Sequence, residues 1–259
     1  MMQTTDHTGS TERALDSEPT VLCVDGDAES LASTASVLSD AGLSVRTETD
    51  PGQVLERLDG VDCLVSAHQL PGTDGLELLA TVRETAPSLP FVLHTTAALE
   101  AVGGDLLSTD WTEYVPRETS DHHTGLLARR IRTVVDRRQL DTAARRYRTA
   151  LETSREAILV VAPDGTVDFV NDTLASELSA ARSELEGRRW DELFTDDSVA
   201  HLRNEAFPVA ADGWRWTGMT ALYGRASAHL DCRASLSRLD DGSMIFAFHS
   251  LRRMDAGTN

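Results

Sequence analysis

Between Thr20 and Val135, short apolar runs alternate with amphipathic segments, and that alternation constrains the fold more than any other feature of the chain. Thr20–Val24 contains VLCV, the pattern of a buried parallel strand, and ends at Asp25-Gly26-Asp27. Ala28–Ala41 follows with Leu31, Ala35 and Leu38 at helical spacing, and Gly42 stops it. Further strands are predicted at Leu43–Arg46, Asp62–Ser66, Pro90–Leu93 and Tyr114–Val115. Helices are predicted over Pro51–Leu58, Leu76–Thr85 and Ala97–Leu107, and from Leu126 onward. Five strands alternating with five helices require an α/β doubly wound, five-stranded parallel sheet of flavodoxin-like type. Ligand chemistry in such a sheet sits at the carboxyl ends of the strands. Here those ends carry Asp25, Gly26, Asp27, Ala67, Thr95 and Arg117.

The second half changes period. Ala157–Ala162 and Thr166–Val170 flank Pro163-Asp164-Gly165 and read as a hairpin. Short helical pieces follow from Asn171, with a last helix over Asp197–Phe207. Strands are predicted at Trp214–Tyr223, Ala228–Leu239 and Met244–Leu251. This order gives an α+β domain with one five-stranded antiparallel sheet.

Four landmarks in the first half fall in the order seen in one known family. An acidic cluster follows strand one, SAHQLPGTDG follows strand three, Thr95 follows strand four and YVPR lies near strand five. The pattern resembles the receiver domain of two-component response regulators, whose loop reads S-D-x-x-M-P-x-M-D-G. The resemblance implies a phosphoacceptor Asp beside a Mg²⁺-holding acidic pair. This chain departs from it at three of those positions. The residue four before Pro71 is Ala67, which has no nucleophile. The second acid of the pair is Gly26, with Asp27 one place late. Arg117 stands where the family has Lys; it is cationic too, but its planar fork is longer and differently shaped. Asp25, Asp27, Ala67, Thr95 and Arg117 therefore read as a degenerate phosphorylation site that works without phosphotransfer, with at most a weak Mg²⁺ contact at Asp25. Asp74 reads as a turn or helix cap.

A basic helix joins the halves. Arg129–Arg155 contains nine Arg and three acids, locally +6 in a chain of −18. Leu140, Ala144, Tyr147, Leu151 and Ile158 keep a coiled-coil-like spacing. A solvated linker whose arginines pair with the acidic domain surfaces is the preferred reading; a paired short coiled coil and contact with nucleic acid or an acidic partner are the alternatives.

The second domain resembles a PAS domain, carried by YRTALETSREAILVVAPDGTVDFVND, ELEGRRWDELF and WRWTG. The resemblance implies a sensor or dimerisation module and names no ligand. A flavin of the photosensor kind needs a reactive Cys absent from Thr195–Phe207, and haem needs an axial His for which His201 is the candidate. Neither cofactor is expected. Trp214 and Trp216, two apart and so on one strand face, are candidates for a pocket wall.

The expected division is a disordered tail (1–19), a receiver-like domain (20–125), a linking helix (126–156), a PAS domain (157–253) and a tail (254–259). Composition narrows the function. All 24 basic residues are Arg, which excludes a P-loop or Schiff-base lysine. The net charge of −18 disfavours DNA as a partner, and acidity without lysine resembles the halophilic pattern. No run approaches a membrane span and no signal peptide is visible, so a cytoplasmic protein is expected. Cys23, Cys63 and Cys232 form no metal or disulfide spacing. The chain reads as a non-enzymatic, two-component-type signalling protein, with no output domain expected behind the last strand. A histidine kinase or regulator is the expected partner, and a homodimer through the linking helix or PAS domain is left open. A phosphoaccepting regulator with a rearranged site and a transcription regulator using the Arg-rich helix are the alternatives.

Overall fold

The computed structural model describes residues 18–98, 110–117, 121–224 and 229–254. The predicted tail up to residue 17, the helix expected over Ala97–Leu107 from residue 99 on, and the residues after Met254 lie outside the described residues. The chain divides into two compact units, Met1–Ala143 and Ala144–Asn259.

The first unit is a parallel sheet of β1 (Thr20–Val24), β2 (Ser44–Glu48), β3 (Cys63–Ser66), β6 (Phe91–Thr95) and β7 (Thr112–Pro116), in the order β2-β1-β3-β6-β7. Strand alternation sends consecutive side chains to opposite faces. Val21, Cys23, Cys63, Val65 and Val92 pack with Leu31 and Leu38 of α1 (Ala28–Asp40) and with Leu127, Ile131 and Val134 of α3 (Asp121–Glu152). Leu22, Val24, Leu64, Phe91 and Leu93 pack instead on Leu78, Leu79 and Val82 of α2 (Gly75–Thr85). Both faces are covered, which explains why these strands read as unbroken apolar runs.

Local signals set the helix ends. Asp27 caps α1, accepting from the backbone N–H groups of Glu29 (3.0 Å) and Ser30 (3.4 Å). Gly42, at φ +77°, provides the left-handed turn after it. Asp74 caps α2 through the N–H groups of Leu76 and Glu77, the cap role expected for it.

Three local expectations need correction. Pro51–Leu58 is not an α-helix but two 3-10 turns, Pro51–Gln53 and Leu55–Arg57. The Asp50 carboxylate accepts from Gly52 N–H, and Val54 is the segment's one fully buried side chain, so little holds a longer helix. A two-residue hairpin, β4 (Gln69–Leu70) with β5 (Thr73–Asp74), was not anticipated; it sits between β3 and α2 and presents Pro71. The long helix runs Asp121–Glu152 rather than 126–156, so Ile158 belongs to a strand and not to the helical stripe.

The second unit is an antiparallel sheet ordered β10-β11-β12-β8-β9. Its strands are β8 (Ala157–Val161), β9 (Val167–Val170), β10 (Trp216–Tyr223), β11 (His229–Arg238) and β12 (Met244–Met254). Between β9 and β10 lie α4 (Asp172–Leu178), α5 (Arg182–Leu185), a 3-10 turn at Trp190–Leu193, α6 (Asp196–His201) and α7 (Phe207–Ala211). The helix predicted as one piece over Asp197–Phe207 is broken by a π-turn at Leu202–Ala206. Pro208 lacks the N–H that an α-helix would send to the carbonyl of residue 204, which favours a change of register there. Phe194, Phe246, Phe248, Leu174 and Leu202 are fully buried in the core of this unit.

Candidate functional site

Parallel β1, β3, β6 and β7 all end at the same edge of the first sheet, so Asp25, Ala67, Thr95 and Arg117 converge there although they lie up to 92 positions apart. They line a cavity of about 370 Å³ together with Ser30, His68, Pro71 and His94. The structure thus brings together all five residues of the degenerate site.

Asp25 is 6% exposed and has its carboxylate engaged on every side. One oxygen accepts from Asp27 N–H at 3.0 Å. The other accepts from Ser30 Oγ at 2.9 Å and from Arg117 Nη1 at 2.8 Å. Arg117 Nη1 also donates to Ser30 Oγ, and Nη2 donates to the His94 carbonyl at 3.2 Å. The Arg117 backbone N–H bonds the Thr95 carbonyl at 2.7 Å, which fixes the start of the side chain. A charge-assisted pair of this length, with a hydroxyl shared between both partners, is strong and geometrically specific. Asp27 is committed as the α1 cap, so it points its oxygens at that helix and not at the cavity's centre.

Ala67 is 7% exposed, and its backbone N–H bonds the Val24 carbonyl at 2.9 Å. A methyl group therefore stands at the tip of the central strand. The Ser66 hydroxyl donates to the Ala67 carbonyl at 2.8 Å and is fully buried. Gly26 is covered: a Cβ there would lie 2.7 Å from Pro71 Cδ and 2.9 Å from Cγ. The proline ring fills the place into which an acidic side chain at 26 would grow. Mg²⁺ wants several oxygens in near-octahedral order. These residues offer one carboxylate, already held by a guanidinium, and they do not fit that ion. Among the described residues there is no cluster of three His, Cys, Asp or Glu side chains suited to a metal.

Thr95 Oγ1 accepts from Ala97 N–H at 3.1 Å, and Tyr114 donates its hydroxyl to the Ala97 carbonyl at 2.6 Å. His94 lies against the Val115 carbonyl, 3.1 Å from Nδ1, so that nitrogen carries the proton. Burial, helped by the neighbouring Arg117 charge, lowers its pKa to about 4, and the ring is neutral at pH 7. Sequence reasoning missed Ser30, His94 and Pro71. Ser30 was findable: it follows the Asp27 cap within the first turn of α1, where a hydroxyl faces back toward the strand end. Nothing local marks Pro71 as packing on Gly26.

The second set of candidates does not assemble. Trp216 is 8% exposed and its ring lies over Gly218, whereas Trp214 is 73% exposed. The two do not share a strand face, because β10 begins at Trp216 and Trp214 N–H still bonds the Val209 carbonyl after the turn at Gly213 (φ +84°). His201 sits edge-on to Trp216, with ring centroids 5.6 Å apart, and its Nδ1 lies 3.3 Å from Glu205 Oε1. Behind them the interior is filled by Phe194, Phe246 and Phe248, whose centroids lie 5.4–6.2 Å apart. These residues do not fit a haem with His201 as its axial ligand. Cys232 is buried near the Thr220 carbonyl, and burial pushes its thiol up to about 12, which keeps it protonated and unreactive. An open cleft of about 660 Å³ lies elsewhere on this unit, floored by Leu178, Leu185 and Leu193 and rimmed by Glu184, Arg188 and Glu192.

Residues 21–124 match the family described as response regulator receiver domain, and residues 151–255 match the PAS fold. A curated relative, the bacterioopsin transcriptional activator of Halobacterium salinarum, is 30% identical over 127 residues, 48% of this chain. The match spans only 19% of that relative's length. Among solved structures, a CheY-like receiver domain protein from Methanospirillum hungatei is 23% identical, with TM-score 0.43, covering 48% of this chain and 99% of that one. A PAS domain, in complex with ethanol, of a LuxR-family transcriptional regulator from Burkholderia thailandensis is 20% identical, with TM-score 0.36, covering 40% and 95%. A receiver domain followed by a PAS domain supports a part in two-component-type signalling. Among the described residues, no helix is long and apolar enough to cross a membrane.

Proposed function

We propose that this chain, a receiver domain followed by a PAS domain, signals by protein contact and that its receiver half takes up no phosphoryl group. One observation carries the reading: the strand tip beside Asp25 bears the Ala67 methyl, and the Asp25 carboxylate is already paired with Arg117 at 2.8 Å. An acyl phosphate needs a carboxylate to attack phosphorus and a cation free to neutralise the incoming charge. Ala67 supplies no oxygen, and the Arg117 cation is engaged. The PAS half acts as an interaction or sensing module without haem or flavin, and the chain performs no catalysis. Its partner is a signalling protein such as a histidine kinase or another regulator.

The test is incubation of the purified chain with acetyl phosphate and Mg²⁺, beside a receiver that keeps its aspartate. Intact mass is expected to stay unchanged here and to rise in the control. A base-labile phosphoryl adduct on this chain overturns the reading. An absorbance spectrum of the same sample is expected to show protein bands alone, and a Soret or flavin band would overturn the cofactor-free assignment. The match to a transcriptional activator favours a second reading, control of transcription. It predicts a DNA gel shift that survives physiological salt, whereas attraction by the Arg-rich helix alone fades steeply as salt rises.

A further inference from the structure

The last turn of α3 lies within the second unit, and it ends on an unfavourable charge. A helix C-terminus favours cations, because its free carbonyls carry partial negative charge. This turn has no basic residue and closes at Glu152. The cation comes from α5 instead. Arg182 Nη1 lies 2.5 Å from Glu152 Oε1, and the Glu152 side chain is 21% exposed. Glu152 Oε2 is buried with no hydrogen-bond partner among the described residues, which leaves the acid dependent on Arg182. Two more contacts seat the same stretch of helix. The Asn171 amide donates to the Leu151 carbonyl at 3.1 Å, and Arg148 and Arg182 both stand over the Phe169 ring, 5.7 and 5.5 Å from its centroid.

Arg182 does not serve Glu152 alone. The same Nη1 lies 3.4 Å from Asp172 Oδ1, and Nε lies 3.6 Å from Glu186 Oε1. The Asp172 side chain is 77% exposed, so its pair with Arg182 forms and breaks in water at little cost. One guanidinium thus faces three carboxylates. When it turns toward Asp172 and Glu186, Glu152 is left as a bare anion at the end of a helix.

We infer that Arg182 is a releasable clasp. Bound to Glu152, it holds the last turn of α3 folded against the PAS core; shifted to Asp172 and Glu186, it lets that turn unwind. Ordering and unwinding of a short segment is a common form of conformational switch. This turn is where the chain leaves the long helix for β8, so its order fixes whether the helix runs on rigidly to the core of the second unit. The clasp sits on a helix of four residues, α5, which also gives Glu184 and Leu185 to the open cleft of about 660 Å³. It stands whether or not the receiver half takes up a phosphoryl group.

The test is amide hydrogen exchange on the full chain at one fixed salt concentration, comparing residues 150–153 with the core amides of Ile158 and Leu174. Arg182→Gln should lower protection in 150–153 roughly fivefold, through loss of the pair and of the cation at the helix end, and leave the core amides unchanged. Asp172→Asn together with Glu186→Gln removes the competitors and should raise protection in 150–153 roughly twofold. Glu152→Gln should act with opposite signs in two backgrounds. In the native chain it loses the pair and lowers protection; with Arg182→Gln already present it removes a bare anion from the helix end and restores part of what was lost. Three results overturn the inference. Protection in 150–153 that ignores Arg182→Gln shows a turn stable by itself. An equal loss at Ile158 and Leu174 makes Arg182 a support of the whole unit and not a clasp. A fall in protection when Asp172 and Glu186 are neutralised shows that they assist the pair with Glu152 and do not compete with it.

Discussion

Removing the guanidinium from the Asp25 cluster tests whether that ion pair anchors the site. Arg117→Met keeps length and apolar contact and deletes the charge. Asp25 is left with the Ser30 hydroxyl at 2.9 Å and Asp27 N–H at 3.0 Å, but with no cation. Stripping one partner from a fully buried pair costs about 3–5 kcal/mol. Two features reduce that here: the Arg117 side chain is 27% exposed, and two hydrogen bonds to the carboxylate survive. A loss of about 2–3 kcal/mol is therefore expected. Asp25→Asn should lose about as much, by turning an amide toward the guanidinium, and the double variant about the same as either single one. The coupling between the two sites is then about 2 kcal/mol. Amide exchange in Val21–Val24 and Cys63–Ser66 reads this unit without interference from the other. All four proteins are measured at one fixed salt concentration, since salt screens the partly exposed partner. A second readout is His94. Its pKa is lowered first by burial and then by Arg117, so Arg117→Met should raise it above about 4 in a proton NMR titration. Coupling near zero together with an unmoved His94 would refute the reasoning.

Three further outcomes are expected. Ala67→Asp alone should remain unphosphorylated by acetyl phosphate, because Arg117 would pair with the new carboxylate and Pro71 still covers Gly26; an adduct by intact mass would show that the acceptor was the one part missing. Asn171→Ala should destabilise the PAS unit by roughly 2–4 kcal/mol, read as lost amide protection at Ile158. Its buried side chain accepts from Ile158 and Leu174 N–H and donates to the Leu151 and Glu156 carbonyls, and all four of these bonds are lost. Finally, His94 binds a proton less readily folded (about 4) than unfolded (6.5), so the unfolded chain gains protons first. The receiver unit should lose roughly 2–3 kcal/mol as pH falls from about 6.5 to about 4, and His94→Gln should flatten that slope in pH-dependent denaturation.

The fold was legible because its information is local. VLCV and PFVL read as buried strands since both faces of the sheet are covered, and Asp27, Gly42 and Asp74 mark helix ends by hydrogen bonds to neighbours in sequence. The errors fall where a distant or missing partner decides. Pro51–Leu58 has a helical spacing, but only Val54 finds a core to enter, so the segment tightens into 3-10 turns. Trp214 and Trp216 alternate correctly for a strand, but Trp214 N–H closes the turn that ends the preceding helix, bonding the Val209 carbonyl around Gly213, and the strand starts two residues late. In the site, Asp25, Ala67, Thr95 and Arg117 were found because a parallel sheet must gather its strand ends. The pairing of Arg117 with Asp25 was not, because it depends on how a long side chain crosses the cavity.

The three departures at the strand ends are physically linked. With a carboxylate absent at 67, a cation at 117 has one buried acid left to satisfy it, and Arg reaches Asp25 directly at 2.8 Å. With that acid neutralised, a second acid at 26 would add uncompensated negative charge to a buried cluster. Gly26 removes it and lets Pro71 close over the backbone. Each change lowers the cost of the others, and the buried acid is satisfied as it stands: every oxygen of Asp25 has a donor, and those donors include the cation. Restoring one residue then meets resistance from two. That is why Ala67→Asp is expected to fail alone, and why a variant that regains phosphate uptake should need a freed cation, an acceptor carboxylate and a displaced Pro71 together.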